Sequence, residues 1–380
     1  MANDGMLMIF CKGFTSCSIR HCLILLLFLG AVFFFYSTNI IEIRSHWSHY
    51  QLVRNQTGFL YYFHKSQNKS ILSTVSSLSP TLPDAISVSS VTEVPPSDAV
   101  PHVSPGLYWV EYPYQYRFVI NEPQKCQQEN PFVVLMVPVA PKNRVARDTI
   151  RSTWGGERVV KGKVVTLLFL LGLQDKAKEE ERGLTQESEE HRDLIQGDFI
   201  DCYKNLTIKT MVMLEWLYSH CPEAPYAMKI DSDMFLNVEN LVGMLLKAPQ
   251  THYMTGLRAC NFVVIRDPTS KWYLPEDVYP DPQYPCYILG LGYVLSSDLP
   301  RKLVEASRYI KVIYIEDVFL GLCMQYLQIP VTQHPNGYSF NVNPQSYRRC
   351  AFSSLVATTT DPQTDLVALW KDFKASGPVC

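Results

Sequence analysis

Two carboxylates one residue apart, Asp231 and Asp233, follow the apolar run Tyr226-Ala227-Met228-Lys229-Ile230 and precede Met234-Phe235-Leu236. A buried strand that stops at Asp-x-Asp puts acids at the carboxyl edge of a sheet, where open α/β sheets bind ligands. In an extended chain the two side chains point to the same side. Paired anionic oxygens suit a hard divalent cation, and such a cation suits a phosphate. Asp-x-Asp alone is equally at home in a solvated turn.

Three further groups carry chemistry. Arg144, Arg147 and Arg151 recur at spacings of three and four, so on a helix they share one face. That face is either solvated or an anion clamp, because guanidinium matches phosphate geometry and stays charged. Glu316-Asp317 follows an apolar run, which predicts a partly buried carboxylate of raised pKa, the environment a general base needs. The alternative is a cap at a helix N-terminus. Trp272, in a loop rich in aromatics and proline, either lines a sugar-binding surface or packs in the core. Together these groups fit one reaction: arginines and a metal hold a diphosphate, paired acids hold the metal, and a separate carboxylate deprotonates a hydroxyl.

The elements that must position these residues alternate. Residues 132–138 and 164–171 are continuous apolar runs, as in strands covered on both faces. The arginine segment 144–155 predicts a helix ended by Gly155 and Gly156. Residues 179–192 predict a solvated, charged helix, and 206–218 a helix leading into the Asp-x-Asp strand. Further helices are expected at 238–246, 299–310, 319–327 and 365–373. Residues 287–296 predict a strand whose Gly290 and Gly292 allow a ligand or another backbone to approach, and 313–318 a strand ending in acids. Alternating helices and strands argue for an α/β domain with a mainly parallel sheet.

The chain has 380 residues and a net charge of −2, which gives no reason to expect nucleic acid as a partner. Residues 1–18 read as a short cytoplasmic tail. Residues 19–41 reach the roughly 20 residues needed to span a bilayer. The apolar core ends in Phe33-Phe34-Phe35-Tyr36, too bulky for a cleavage site, which favours an uncleaved signal-anchor over a signal peptide. Basic residues on its N-terminal side place that end in the cytoplasm. Residues 42–106 read as a stem. Half of positions 66–105 are Ser, Thr or Pro, so that segment cannot bury enough apolar surface to fold alone. The folded domain is expected over 107–380. Sequons at Asn55, Asn68 and Asn205 follow the span. Eight cysteines beyond it, none in a Cys-x-x-Cys pair, predict several disulfides formed in an oxidising compartment.

Five segments carry a resemblance. They are Arg151-Ser-Thr-Trp154-Gly155, the stretch from Asp198 through Asp201, Tyr203, Asn205 and Lys209 to Thr210, Lys229-Ile-Asp231-Ser-Asp233, Tyr284-Pro285 to Ser296, and Glu316-Asp317-Val318 to Cys323. In this order the chain resembles the β-1,3-galactosyltransferase family of Golgi enzymes over roughly residues 130–350. The resemblance implies a glycosyltransferase-A type domain, Rossmann-like, with a mainly parallel mixed sheet flanked by helices. It also implies an N-terminal transmembrane helix in a single-pass Golgi membrane protein, with the domain luminal. It implies an inverting, manganese-dependent transfer from UDP-galactose to a terminal GlcNAc- or GalNAc-type sugar of a glycoprotein or glycolipid. Asp231 and Asp233 would hold Mn²⁺ and the diphosphate, with Lys229, Arg147, Arg151 and Trp154 near the nucleotide. Asp317 would be the base, with Glu316, Gly290, Gly292 and Trp272 on the acceptor side.

Asp-Ser-Asp in place of Asp-Asp-Asp looks more like the galactosyl members than the N-acetylglucosaminyl ones, and a UDP-GlcNAc donor is the alternative. Two departures stand out. Leu289-Gly290-Leu291-Gly292-Tyr293 stands where relatives usually read Ser-Gly-x-Gly-Tyr or Gly-Gly-Gly-Tyr, and the histidine that relatives carry near the C-terminus is missing from Ala357-Thr358-Thr359-Thr360-Asp361-Pro362. Asp361, His334 or water would take its place, or metal affinity is weakened. A glycan-binding homologue with little or no turnover is the rival of another class.

Overall fold

The apolar runs pair into one mixed sheet. The computed structural model describes residues 110–380, apart from 114, 175–177, 335–338, 362 and 378–379. All of these belong to one compact unit of the chain, Pro95–Cys380. The tail, the span expected at 19–41, the whole stem at 42–106, Asn55 and Asn68 lie outside the described residues. Among the described residues, no helix is long and apolar enough to cross a membrane.

In chain order the elements begin with β1 (Phe118–Ile120), α1 (Lys125–Glu129), β2 (Val133–Pro138), α2 (Arg144–Arg151), β3 (Val159–Val160) and β4 (Lys163–Leu173). Next come α3 (Lys178–His191), β5 (Leu194–Ile200), α4 (Leu206–His220), β6 (Tyr226–Ile230), β7 (Met234–Leu236), α5 (Val238–Leu245) and β8 (Met254–Ala259). The remainder are β9 (Tyr287–Ser296), α6 (Leu299–Ser307), α7 (Glu316–Tyr326), β10 (Thr332–Gln333), β11 (Phe340–Asn341), α8 (Arg349–Ser353), β12 (Ala357–Thr359) and α9 (Leu366–Phe373).

The main sheet runs β1-β5-β4-β2-β6-β9-β8-β10, with β3 folded back on β4. β5, β4, β2 and β6 are mutually parallel, while β9 is antiparallel to both β6 and β8. The central strands are apolar at successive positions because both faces are covered. Val134, Met136, Leu168 and Leu170 pack with α4 on one face. Val133, Leu135, Val137, Leu167 and Phe169 pack with Ile150, Trp154 and α5 on the other. The two sets alternate along the strands, as side chains of a pleated chain must. A small second sheet, β11-β12-β7, joins the C-terminal segment to the strand that follows the Asp-x-Asp turn.

The structure corrects three expectations. Residues 313–318 do not form a strand: α7 starts at Glu316, so both acids occupy its first turn. The arginine helix stops at Arg151, and Gly155 and Gly156 belong to a separate 3₁₀ turn (Trp154–Gly156). The charged helix α3 is not solvated all round, because Glu187 is buried.

Among the described residues three disulfides form: Cys126–Cys221, Cys260–Cys286 and Cys350–Cys380. Of the eight cysteines beyond the span, Cys202 and the buried Cys323 stay as thiols.

Candidate active site

The carboxyl end of the parallel strands collects the charged groups. β6 ends at Ile230 and the chain turns through Asp231, Ser232 and Asp233 before β7. The turn is pinned on both sides. The Asp231 N–H donates to the Leu291 carbonyl at 3.0 Å, and Thr360 donates its N–H and its hydroxyl to the Asp233 carbonyl at 3.2 and 2.9 Å. Trp154 is fully buried and its indole N–H donates to the Met234 carbonyl at 3.0 Å. This tryptophan therefore braces the Asp-x-Asp turn from the core instead of lining a nucleotide surface.

Lys229 is the hub. Its side chain is almost wholly buried, and its ammonium lies 2.7 Å from Asp231 Oδ1 and donates to the Gly290 carbonyl. Burial alone would lower its pKa, but the negative charges of Asp231, Glu316 and Asp317 hold it above the ordinary lysine value. The Gly290 N–H donates in turn to Asp317 Oδ2 at 2.9 Å. Asp231, Lys229, Gly290 and Asp317 thus form one hydrogen-bonded chain across β6, β9 and the start of α7.

Asp317 Oδ1 also accepts from the Val318 N–H at 2.9 Å. Burial nevertheless pushes the Asp317 carboxyl up, against the N–H groups of Gly290 and Val318 and the charge of Lys229. Glu316 is buried too. Its Oε1 accepts from the Tyr293 hydroxyl at 2.7 Å and from Thr210 Oγ1 at 3.0 Å, so it faces the core side of β9 and α4. Burial raises it despite Lys229, and the Asp317 charge raises it further.

Gly290 is needed where it stands. A Cβ there would lie 2.9 Å from Glu316 Oε2 and 3.5 Å from Asp317 Oδ2. Gly292 is under no such demand, because a Cβ would meet only ordinary contacts, the nearest at 3.6 Å.

The arginines behave differently from an open anion clamp. Arg147 is 1% exposed and grips Glu187 in a bidentate pair, Nε to Oε1 and Nη2 to Oε2, both 2.7 Å. Its Nη1 donates to the carbonyls of Ala140 and Pro141. Arg151 pairs with Asp193, Glu187 and Asp148, and Arg144 with Asp148 and Glu190. The helical spacing holds, but the shared face meets carboxylates of α3 and of the link just before β5 that sequence spacing does not reveal.

One pair went unassigned in the sequence. Lys209, buried in α4, donates to Asp201 Oδ2 at 2.7 Å and to the Val139 carbonyl, just past the end of β2, at 3.1 Å. Burial lowers the Lys209 pKa, and Asp201 offsets part of that. The available signal was a lone lysine inside the apolar run Leu206–Leu214, which needs a buried partner.

Asp231 and Asp233 fit a hard divalent cation in donor chemistry. Asp233 is held above the usual carboxylate range by burial and by the charge of Asp231 one residue away, a repulsion that a cation would relieve. Two carboxylates are few ligands, and among the described residues no group of three or more His, Cys, Asp or Glu could hold a metal. His334 is buried with its ring 5.8 Å from Phe340. Asp361 follows Thr360 in the chain, but its Oδ1 accepts from the Gln363 N–H and caps its own turn. Diphosphate oxygens and water would have to complete the shell.

Trp272 is half-buried, packed on the core and flanked by the Lys271 ammonium, 4.5 Å from its ring centroid. Asn205 opens α4, with its side-chain amide donating to the Ile200 carbonyl at 2.8 Å, and Thr207 of the same sequon is buried.

A family model described as Galactosyltransferase matches residues 145–335. Over 265 residues the chain is 39% identical to the β-1,3-galactosyltransferase 2 of Homo sapiens, a match covering 69% of this chain and 63% of that protein. It is 37% identical over 267 residues to the β-1,3-galactosyltransferase 1 of Mus musculus, covering 69% of this chain and 80% of that one. The match thus spans less than two thirds of the human relative's length. Among solved structures, one titled "WbbM bifunctional glycosytransferase apo structure" superposes with a TM-score of 0.36 and 11% identity, covering 66% of this chain and 50% of that one. A superposition that loose decides nothing about fold or function.

Proposed function

The chain belongs to the β-1,3-galactosyltransferase family, and from that premise we propose that it transfers galactose from UDP-galactose, in β-1,3 linkage, to a terminal N-acetylhexosamine of a glycoprotein or glycolipid glycan. The reading includes a glycosyltransferase-A type domain held in the Golgi lumen by the apolar segment at 19–41. It rests above all on the chain of hydrogen bonds from Asp231 through Lys229 and Gly290 to Asp317. That chain ties the acids suited to a donor diphosphate to the carboxylate suited to activate an acceptor.

Asp317 takes the proton of the acceptor 3-hydroxyl. The freed oxygen pair attacks the anomeric carbon, the bond from that carbon to the diphosphate breaks, and UDP departs with the electron pair. One displacement on an α-linked donor gives a β-linked product. The raised pKa of Asp317 suits it to receive that proton, and the Gly290 and Val318 N–H groups aim its oxygens. Lys229 holds Asp231 in place and brings positive charge beside the departing diphosphate. Mn²⁺, when held by Asp231 and Asp233, supplies neutralisation of the charge that develops on UDP.

The test is turnover. The full chain in detergent, with Mn²⁺ and glycosides ending in GlcNAc or GalNAc, is offered UDP-galactose and UDP-GlcNAc in parallel. Release of UDP with a β-1,3-linked galactoside as product is expected. Preference for UDP-GlcNAc would replace the donor, and turnover of neither donor would remove the enzymatic reading.

A further inference from the structure

Helix α4 buries Thr207, Lys209 and Thr210 among apolar neighbours near its start. A buried hydroxyl or ammonium is costly unless it is bonded. All three are bonded, and to two different parts of the frame around the site.

Lys209 reaches the sheet edge. Its ammonium donates to Asp201 Oδ2 at 2.7 Å and to the Val139 carbonyl at 3.1 Å. Asp201 lies just past β5, and the same Oδ2 accepts from the Gly172 N–H of β4 at 2.9 Å. Val139 lies just past β2. One ammonium therefore ties together the carboxyl ends of β2, β4 and β5. β2 runs parallel to β6 with Met136 opposite Lys229. Carried on, that register brings Val139 level with the turn that holds Asp231 and Asp233.

Thr207 and Thr210 reach the other way. Thr207 Oγ1 donates to the Ile313 carbonyl at 2.9 Å, and Thr210 Oγ1 to Glu316 Oε1 at 3.0 Å. The same Glu316 oxygen accepts from the Tyr293 hydroxyl of β9 at 2.7 Å, so the residue before Asp317 is fixed between α4 and β9. The two threonines, neighbours on one face of the helix, thus hold both ends of the short segment from Ile313 to Glu316 that delivers Asp317. Successive helical residues diverge by about 100° around the axis, which lets Lys209 and Thr210 serve the two sides at once.

We propose that Lys209 and Thr210 are positioning residues for the transfer. They make α4 a strut that sets the separation between the sheet edge presenting the donor acids and the segment presenting Asp317, without touching donor or acceptor. The inference rests on the transferase reading above and adds the residues that space its two halves. Transfer must bring a hydroxyl oxygen within about 3–3.5 Å of the anomeric carbon, and an error of an ångström there is costly in rate. Stability alone does not call for the lysine–aspartate pair, since a buried ion pair is often no more stabilising than apolar residues in its place.

The test uses the full chain in detergent with Mn²⁺, UDP-galactose and the β-methyl glycoside of N-acetylglucosamine. It reads Tm, and kcat and both KM values well below the lowest Tm. Thr210→Val removes one hydroxyl and keeps the side chain's shape. Tm should fall by about 2–4 °C, as for one lost hydrogen bond. kcat should fall roughly 10- to 100-fold, with both KM values within about twofold of the wild type's, and Thr210→Ser should restore kcat. Lys209→Met leaves the Asp201 carboxylate buried without its cation and lowers Tm outright. Combined with Asp201→Asn, whose amide oxygen still accepts from the Gly172 N–H, it should recover much of the Tm while kcat stays low. A kcat that returns with Tm in the double variant, wild-type kcat in Thr210→Val, or a loss carried by KM alone overturns the strut. A wild type that transfers nothing removes the transferase reading and this inference with it, whereas an active wild type with indifferent variants removes the inference alone.

Discussion

Replacing Arg147 by Met separates two roles that its sequence spacing allows. Arg147 and Glu187 are each 1% exposed and joined by two 2.7 Å bonds, with Nη1 of the arginine on two backbone carbonyls. Removing one partner of a buried pair costs about 3–5 kcal/mol, because the other charge is left behind. Here Glu187 keeps Arg151, 2.8 Å away, which places the loss near the lower end. At about 2–4 °C per kcal/mol for a domain of this size, Tm should fall by roughly 6–12 °C. Adding Glu187→Leu should restore most of it, since an apolar pair replaces the orphaned charge. The pH dependence has a definite sign. Burial pushes Glu187 up, but its bonds to Arg147 and Arg151 hold it below the usual carboxylate range. Its contribution is present above the unfolded carboxylate pKa and lost as pH falls through the folded one, so acidification destabilises the wild type more than the double variant. The assay is a thermal scan beside a donor KM. An unchanged Tm with a tenfold higher donor KM would refute the buried-pair account and return Arg147 to the diphosphate.

Four further outcomes follow from the site. Gly290→Ala should lower kcat about 100-fold, because the new methyl displaces carboxylates that must be placed within an ångström; wild-type kcat would show that Glu316 and Asp317 have room to spare. The acid limb of the kcat profile should sit above the ordinary carboxylate value of about 4, because burial raises Asp317 and only its deprotonated form accepts the hydroxyl proton. The same raised pKa means that this group's contribution to stability is lost as pH rises through it, so Asp317→Asn should melt higher than the wild type at neutral pH; a limb near 4 together with a lower Tm would contradict both. Trp154→Phe removes the bond to the Met234 carbonyl and some buried volume, which should cost roughly 1–3 kcal/mol and weaken metal-dependent UDP binding together; a loss of stability with UDP affinity intact would separate the brace from the turn.

Much of this was legible in the sequence because period and composition decide strands. The run 287–296 forms β9 with those bounds, and the apolar stretches at 132–138 and 164–171 fall in β2 and β4. Asp-x-Asp at a strand end was legible for the same reason. Partners across the fold were not. Helical spacing put three arginines on one face but could not show that Glu187 and Asp193 lie opposite. Apolar residues 313–315 looked like a strand because their burial comes from tertiary packing, whereas the acids at 316 and 317 begin a helix whose N-terminus favours them. Trp154 gave no local sign of bracing the turn, since its partner is a backbone carbonyl eighty residues on.

Isothermal titration of UDP into the full chain, with and without Mn²⁺, beside a transfer assay, tests the division of labour between the two acid sites. The wild type should bind UDP tightly only with Mn²⁺, and Asp233→Asn should lose that metal dependence. Asp317→Asn should keep it while transfer falls by at least about 100-fold, the scale of a lost general base. UDP binding indifferent to Mn²⁺ and to Asp233, or transfer undiminished in Asp317→Asn, would contradict the account.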